Sequence, residues 1–164
     1  PLFFMDTIKD NKGLEYDLAM RGGMLDAAIQ VKLRKDGRLI YNQDHKAAGR
    51  ITNRYTTDFN GDGNSDLVVY TNTEDQTRIG NAYIVGIDGN TVFFKEIQPY
   101  MNKENAKGYF GRDSFYIEGN NVIRTFPVYE LNQYNQKRPT NMRRYLTYAY
   151  GKQDTLQPVN AETK

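Results

Sequence analysis

The chain of 164 residues is long enough to bury a core of its own, and it contains no cysteine. The missing thiols exclude cysteine catalysis, zinc–thiolate centres and a disulfide framework. A net charge of +2 with scattered Lys and Arg does not favour nucleic-acid binding, and an aromatic content of 13% is not typical of a disordered chain.

Six segments, taken in chain order, alternate apolar and polar residues with a period of two, as β-strands do when one face is buried. Three of them contain turn residues and are predicted to be hairpins. The segments are 27–41, 49–55, 66–73, 81–97, 113–129 and 142–150. We therefore expect an all-β fold, a single-domain antiparallel β-sandwich or barrel of about eight to nine strands over residues 1–156.

The remaining segments are predicted to be connections. Residues 99–107 are expected to form at most one helical turn. The polar segment 131–141, LNQYNQKRPTN, contains Pro139 and no periodicity, so it is predicted to be the longest loop of the fold. Residues 157–164 are predicted to be a loose C-terminal tail.

The chain shows no long apolar run and no visible leader. No run approaches the roughly 18 residues of a membrane-spanning helix, so we expect no transmembrane segment. The opening residues, PLFFM, are too short for a signal peptide and lack a cleavage pattern. We interpret the N-terminus as a trimmed mature end.

The most distinctive motif is DFNGDGNSDLVVY at residues 58–70, in which acidic and amide side chains occupy every second position. Hard cations such as Ca²⁺ prefer several oxygen ligands from one flexible loop, and a glycine at the sixth position suits its sharp turn. Three carboxylates also compensate a divalent ion. The predicted metal ligands are Asp58, Asn60, Asp62, Asn64 and Asp66.

This loop is not an EF-hand, because Val69 stands where a bidentate glutamate would be, and strands are predicted on both sides. It resembles the calcium loops of FG-GAP and related β-repeat proteins, in which such a loop joins two strands. With no His or Glu beside it in the sequence, a bound Ca²⁺ is expected to be structural. The alternative is a turn rich in Asp and Asn that binds no metal.

Two further loops combine aromatic and cationic residues, a composition that is typical of protein interfaces. The first contains Tyr109 and Arg112, and the second contains Tyr134, Lys137 and Arg138. We predict these five as partner-binding residues. The alternative is that the first loop belongs to the core, with Phe110 and Phe115 as anchors and Arg112 paired with Asp113.

No catalytic constellation is apparent. His45 is the only histidine and is predicted to lie in a polar turn. The chain has no phosphate-binding glycine loop, nucleophile elbow or HExxH motif. Carboxylate-pair chemistry stays open because Asp and Glu are plentiful. We expect the protein not to be an enzyme.

Residues 50–150 resemble bacterial envelope proteins related to the periplasmic inhibitors of invertebrate-type lysozyme. The more specific pieces are GYFGRDSF at 108–115 and FPVY at 126–129, followed by a polar loop with Pro139 and by RRYLTYAY at 143–150. Such inhibitors are expected to insert a short loop containing Ser, Gly and Tyr into the lysozyme cleft. This chain has no Ser-Gly pair, and Gly108–Tyr109 is the nearest analogue.

The resemblance implies an exported, periplasmic or cell-surface all-β protein that binds a partner and catalyses nothing. The most concrete partner it implies is a lysozyme-type glycosidase. The alternative function is a carbohydrate-binding module, in which exposed Tyr residues stack on sugar rings, although the chain has no Trp.

Overall fold

The computed structural model describes residues 2–23, 26–97 and 101–164. Within these residues there are thirteen strands and no helix, and so nothing helical that is long and apolar enough to cross a membrane. The strands are β1 Leu2–Lys9, β2 Leu14–Arg21, β3 Ala28–Lys35, β4 Arg38–Lys46, β5 Arg50–Thr57, β6 Asp66–Asn72, β7 Gly80–Asp88, β8 Thr91–Ile97, β9 Ser114–Glu118, β10 Asn121–Leu131, β11 Lys137–Tyr148, β12 Thr155–Leu156 and β13 Asn160–Thr163. The expected all-β fold is confirmed, with more strands than predicted.

The strands form three sheets. The first sheet has the order β1-β2-β3-β4, the central sheet β12-β8-β7-β6-β5, and the third sheet β13-β11-β10-β9. Every pairing is antiparallel except the short parallel contact of β12 with β8. Most neighbours follow each other in the chain, as antiparallel hairpins allow.

Two hydrophobic cores lie on the two faces of the central sheet. The first core joins buried residues of β2 and β3 to Leu67, Val69 and Val85 of the central sheet. The second core joins Val68 and Ile84 of the central sheet to buried residues of β10 and β11. Neighbouring residues of a strand point to opposite faces, so β6 contributes to both cores in alternation.

This layering explains the unusual burial of the centre. Strands β6 and β7 are buried almost throughout, whereas β2 and β3 alternate between buried and partly exposed residues. A sheet covered on both faces needs apolar residues at successive positions. The sheets therefore form two sandwiches that share their central layer.

The predicted hairpin turns are confirmed. Asp36 and Gly37 both have positive φ, 50° and 81°, as the tight turn between β3 and β4 requires. Gly89 and Gly119 adopt positive φ in the two other hairpins, 61° and 60°. Glycine relieves the strain of this backbone region, which explains the turn signals in the sequence.

Two predictions about connections are wrong. The segment 131–141 is not one long loop, because β10 ends at Leu131 and β11 begins at Lys137. Pro139 is tolerated there because β13 pairs only with residues 144–147 of β11, which leaves the Pro139 end as an edge. The C-terminal tail is not loose over Asn160–Thr163, since β13 completes the third sheet by pairing with β11.

Residues 101–109 contain turns and one hydrogen bond of α-helical spacing, from the N–H of Ala106 to the carbonyl of Asn102 at 2.9 Å. This agrees with a single helical turn in the part of 99–107 that is described, while 99 and 100 lie outside the described residues. The segment delivers the chain from the central sheet to the third sheet.

Candidate functional site

The loop between β5 and β6 folds around its own acidic and amide side chains. Asp58 accepts hydrogen bonds from the N–H groups of Asp62 at 2.9 Å and Gly63 at 2.8 Å. Asp62 in turn accepts one from the N–H of Asn64 at 2.9 Å. Positive φ values at Gly61 and Gly63, 74° and 86°, allow the tight reversal. A closed turn of this kind suits a Ca²⁺ loop as well as a turn that binds no metal.

Asp66 is the buried member of this loop. Its Oδ2 accepts hydrogen bonds from the N–H groups of Phe59 at 2.8 Å and Asn60 at 3.4 Å, whereas its Oδ1 is buried without a hydrogen-bond partner. Burial raises the pKa of the Asp66 carboxyl to about 7, although the two hydrogen bonds lower it. A buried carboxylate oxygen without a partner is costly, and a bound cation would reduce that cost.

The loop is attached to both of its neighbouring sheets. The ammonium of Lys12, between β1 and β2, donates to the carbonyl of Gly63 at 2.5 Å, and the hydroxyl of Tyr16 donates to the carbonyl of Ser65 at 2.7 Å. The side-chain amide of Asn60 donates to a β7 carbonyl at 2.9 Å. The loop is therefore a structural joint between the first sheet and the central sheet.

The oxygen donors of the loop fit a hard cation such as Ca²⁺, which takes carboxylate, amide and backbone oxygens. In the parts of the chain that the structure describes, no three His, Asp or Glu side chains converge as a metal cluster. Amide and backbone carbonyl oxygens of the loop are further ligands of the kind that Ca²⁺ takes. The residues that would hold Ca²⁺ are Asp58, Asn60, Asp62, Asn64 and Asp66, and binding stays a prediction.

Tyr109, predicted to bind a partner, instead packs inside the fold. Its hydroxyl donates to Oδ2 of Asp113 at 2.5 Å and accepts from the guanidinium of Arg124 at 3.0 Å. Its ring lies edge-on against Phe126, at 4.6 Å between centroids. Burial and the Asp113 charge raise the pKa of the Tyr109 hydroxyl. Tyr109 is thus a structural residue of the second core.

The ion pair of Asp113 and Arg124 is fully buried, with 2.6 Å between Arg124 Nε and Asp113 Oδ1. Burial alone would lower the pKa of Arg124, but the Asp113 carboxylate outweighs it and raises that pKa. Asp113 Oδ2 also accepts the N–H of Gly80 at 2.8 Å. This carboxylate therefore joins the third sheet to β7. The predicted local pair of Arg112 with Asp113 is not formed.

The distal end of the β10–β11 hairpin carries exposed aromatic, aliphatic and cationic groups. Tyr134, in the turn that joins the strands, is 73% exposed, and Leu131 is 56% exposed. The ammonium of Lys137 lies 4.9 Å from the ring centroid of Phe110 and 5.9 Å from that of Tyr129. We call these five residues the hairpin surface.

The predicted partner-binding residues are therefore divided among several places. Tyr134 and Lys137 belong to the hairpin surface. Arg138 is next to Lys137 but points to the opposite face, where it pairs with Glu130 at 3.3 Å. Arg112 is exposed on a different loop, against residues 74–78. Sequence analysis missed the exposed Phe110 and Leu131 and the partly exposed Tyr129, because each follows a strand-like or core-like pattern.

His45 lies in β4, not in the predicted polar turn, because its backbone pairs with Ile29 of β3. Its Nε2 is 2.6 Å from the hydroxyl of Tyr41, and its ring stacks on Phe94 with 3.5 Å between centroids. Burial lowers the pKa of His45, and the charge of Asp44 opposes this only in part. Its environment therefore favours the neutral imidazole, and the ring is held by packing.

An open cavity of about 510 Å³ lies beside this histidine and is also lined by Phe94, Glu96 and Asp154. Burial raises the pKa of Glu96. Because the Nε2 of His45 is engaged by Tyr41 and its ring by Phe94, this histidine is held as a packing residue of the cavity wall.

Comparison with known proteins identifies no relative of this chain. No family model, no curated protein and no solved structure matches this chain. The resemblance to lysozyme inhibitors stays a hypothesis that rests on the sequence motifs at 108–115 and 126–129.

Proposed function

We propose that this chain is a non-catalytic binding domain that contacts a macromolecular partner through the hairpin surface and is stabilised by one structural Ca²⁺. The observation that carries the proposal is that exposed Tyr134, Leu131 and Lys137 share the distal end of one hairpin, where Lys137 lies against the ring of Phe110. Exposed aromatic residues beside a cation are the composition of interface hot spots. The proposed setting is the bacterial envelope, in the periplasm or at the cell surface.

The hairpin surface is also prepared for binding. The Lys137 ammonium rests over the rings of Phe110 and Tyr129, which are edge-on to each other at 5.8 Å between centroids. These contacts restrict the lysine before a partner arrives. Less side-chain entropy is then lost on association, which increases affinity for a given set of contacts.

The partner that best complements a lysine among aromatic rings is a protein with an acidic cleft. A lysozyme-type glycosidase presents such a cleft, because its catalytic residues are carboxylates. In the proposed complex, Lys137 pairs with these carboxylates while Tyr134 fills a sugar-binding position through apolar contact. The sequence resemblance to lysozyme inhibitors supports this partner independently.

The second candidate is a carbohydrate-binding module, and the exposure of Tyr134 favours it. A tyrosine that is 73% exposed at a hairpin tip can stack on a pyranose ring. The edge-on arrangement of Phe110 and Tyr129 does not provide a flat platform for a second sugar. A glycan therefore fits the surface less completely than a protein does.

Tyr134→Ala and Lys137→Ala are each expected to weaken partner binding by about 2 kcal/mol, or some thirtyfold, as truncation of an interface anchor does. Binding to an invertebrate-type lysozyme is measured by calorimetry, and inhibition of the same lysozyme is measured by an activity assay. Tyr116→Ala and Lys35→Ala are matched controls, because they remove an exposed tyrosine and an exposed lysine elsewhere.

A glycan array on the same variants separates the two candidates. If only Tyr134→Ala reduces glycan binding and the wild-type protein leaves lysozyme active, the carbohydrate-binding module is correct. If neither variant differs from its control toward any partner, the hairpin surface does not bind and the proposal fails.

His45→Ala is expected to leave partner binding unchanged, because His45 acts in packing. Loss of its stack on Phe94 lowers the free energy of unfolding by about 0.5–1.5 kcal/mol. Binding calorimetry and thermal unfolding check the two statements. A hydrolytic turnover of a peptidoglycan or glycan substrate that disappears with His45→Ala would contradict the non-catalytic proposal.

A further inference from the structure

A second exposed region, separate from the hairpin surface, carries two arginines at the rim of one cavity. The cavity has a volume of about 470 Å³ and is lined by Glu74, Asp75, Gln76, Arg78 and Arg112. Cavities of roughly 300–1,000 Å³ accommodate small ligands. We call this site the arginine pocket.

Both acidic side chains of the arginine pocket are already engaged. Glu74 pairs with Arg50 at 3.0 Å. Asp75 Oδ1 accepts hydrogen bonds from the hydroxyls of Thr73 at 2.9 Å and Thr77 at 2.5 Å, and from the N–H of Thr77 at 3.1 Å. These contacts lower the pKa of Asp75, so it is ionised and bound within its own turn.

The two arginines of the pocket are not engaged in this way. Across the described residues, neither Arg78 nor Arg112 has a carboxylate within salt-bridge distance. The described lining has two arginines and two carboxylates, and both carboxylates are engaged by groups other than these arginines. Among the described residues no hydrogen bond or ion pair occupies the guanidinium groups of Arg78 and Arg112, so their donors are available to a ligand.

The backbone fixes the two arginines against each other. The N–H of Arg112 donates to the carbonyl of Thr77 at 2.7 Å, and the N–H of Asp113 donates to the carbonyl of Arg78 at 3.4 Å. A Cβ on Gly111 would lie 1.9 Å from the Thr77 oxygen, so only glycine permits this approach. Arg78 and Arg112 both adopt positive φ, 48° and 60°, which side chains of this size rarely do.

We propose that the arginine pocket binds a small ligand through an oxyanion, either a phosphate or a carboxylate group. Guanidinium groups match both anions with paired, charge-assisted hydrogen bonds, and two guanidiniums can hold one anion from two sides. None of the described residues that line the pocket is aromatic, so recognition rests on charge and hydrogen bonding. The site is independent of the proposed partner-binding function.

The test is a titration of the ¹⁵N-labelled protein with inorganic phosphate and, separately, with glucuronate, at low ionic strength. Saturable shifts of the Arg78 and Arg112 signals are expected with one or both anions, and they should weaken with added NaCl because exposed charges are screened. Response to phosphate alone identifies a phosphate group as the ligand, and response to glucuronate alone identifies a carboxylate.

Arg78→Gln and Arg112→Gln are each expected to lower the affinity for the anion at least tenfold. Arg38→Gln, which alters an exposed arginine on the β3–β4 hairpin, should leave the affinity unchanged. Arg112→Gly provides a variant that also suits the positive φ, so it should fold while losing the anion. Non-saturable shifts, or an equal loss in Arg38→Gln, would overturn the proposal.

Discussion

Arg124→Met is expected to lower the free energy of unfolding by about 3–5 kcal/mol, because it leaves the Asp113 carboxylate buried without its counter-ion. Both side chains of this pair are fully buried. The hydroxyl of Tyr109 would lose its guanidinium donor in the same variant. Urea unfolding at neutral pH, followed by far-UV circular dichroism, measures the change.

Two comparisons make this result specific. Arg138→Met removes a cation whose pair with Glu130 is exposed, and it should cost no more than about 1 kcal/mol. The double variant Asp113→Leu with Arg124→Met removes both charges and should recover part of the loss. Equal destabilisation by Arg124→Met and Arg138→Met would show that burial of the pair is unimportant.

Addition of Ca²⁺ is expected to stabilise the protein by about 2.7 kcal/mol when the free ion is at a hundred times Kd. For a domain of about 150–250 residues, each kcal/mol raises Tm by roughly 2–4 °C, so a rise of roughly 5–10 °C is expected. The physical reason is that Asp58, Asp62 and Asp66 repel each other without a cation. Differential scanning calorimetry in Ca²⁺ and in EDTA measures the shift.

Asp62→Ala should abolish this response, because it removes an exposed loop carboxylate that would bind the ion. The variant also loses the hydrogen bond from the N–H of Asn64, so its melting curve is compared with its own curve in EDTA. Asp44→Ala, at an exposed position of β4, is the control and should keep the full response. Identical melting curves in Ca²⁺ and EDTA, with no metal bound in equilibrium dialysis, would mean that the loop is a turn that binds no ion.

Local signals in the sequence predicted much of the sheet structure. The hairpins that turn at Gly37, Gly89 and Gly119 follow from turn residues between alternating segments. The strands β1 and β2 were not predicted. The stacking of three sheets also escaped prediction, because alternation shows that a strand has a buried face but not which sheet covers it.

The candidate site shows the same limit more sharply. The run GYFGRDSF places Tyr109 beside Arg112 in the sequence, yet Tyr109 turns inward toward Arg124, fifteen positions further on. No local pattern identifies Arg124 as a buried residue, because it stands within a strand-like segment as an ordinary polar position. By contrast, Tyr134 and Lys137 were predicted to be accessible because polar residues surround them, and the structure leaves both exposed.

Because both faces of β6 are buried, burial contributes little to selecting the register of this strand. In a strand with one wet face, a slip by one residue exposes apolar side chains and is strongly disfavoured. In β6, Val69 faces the first core and Val68 faces the second core. A slip by one residue would exchange their positions and leave both buried, so burial alone hardly distinguishes the two registers. The register of β6 then depends on the loops that connect this strand to its neighbours. The loop that contains Asp58 and Asp66 would fix the register of β6 at the N-terminal end of the strand. A cation bound in this loop would therefore specify strand pairing as well as add stability.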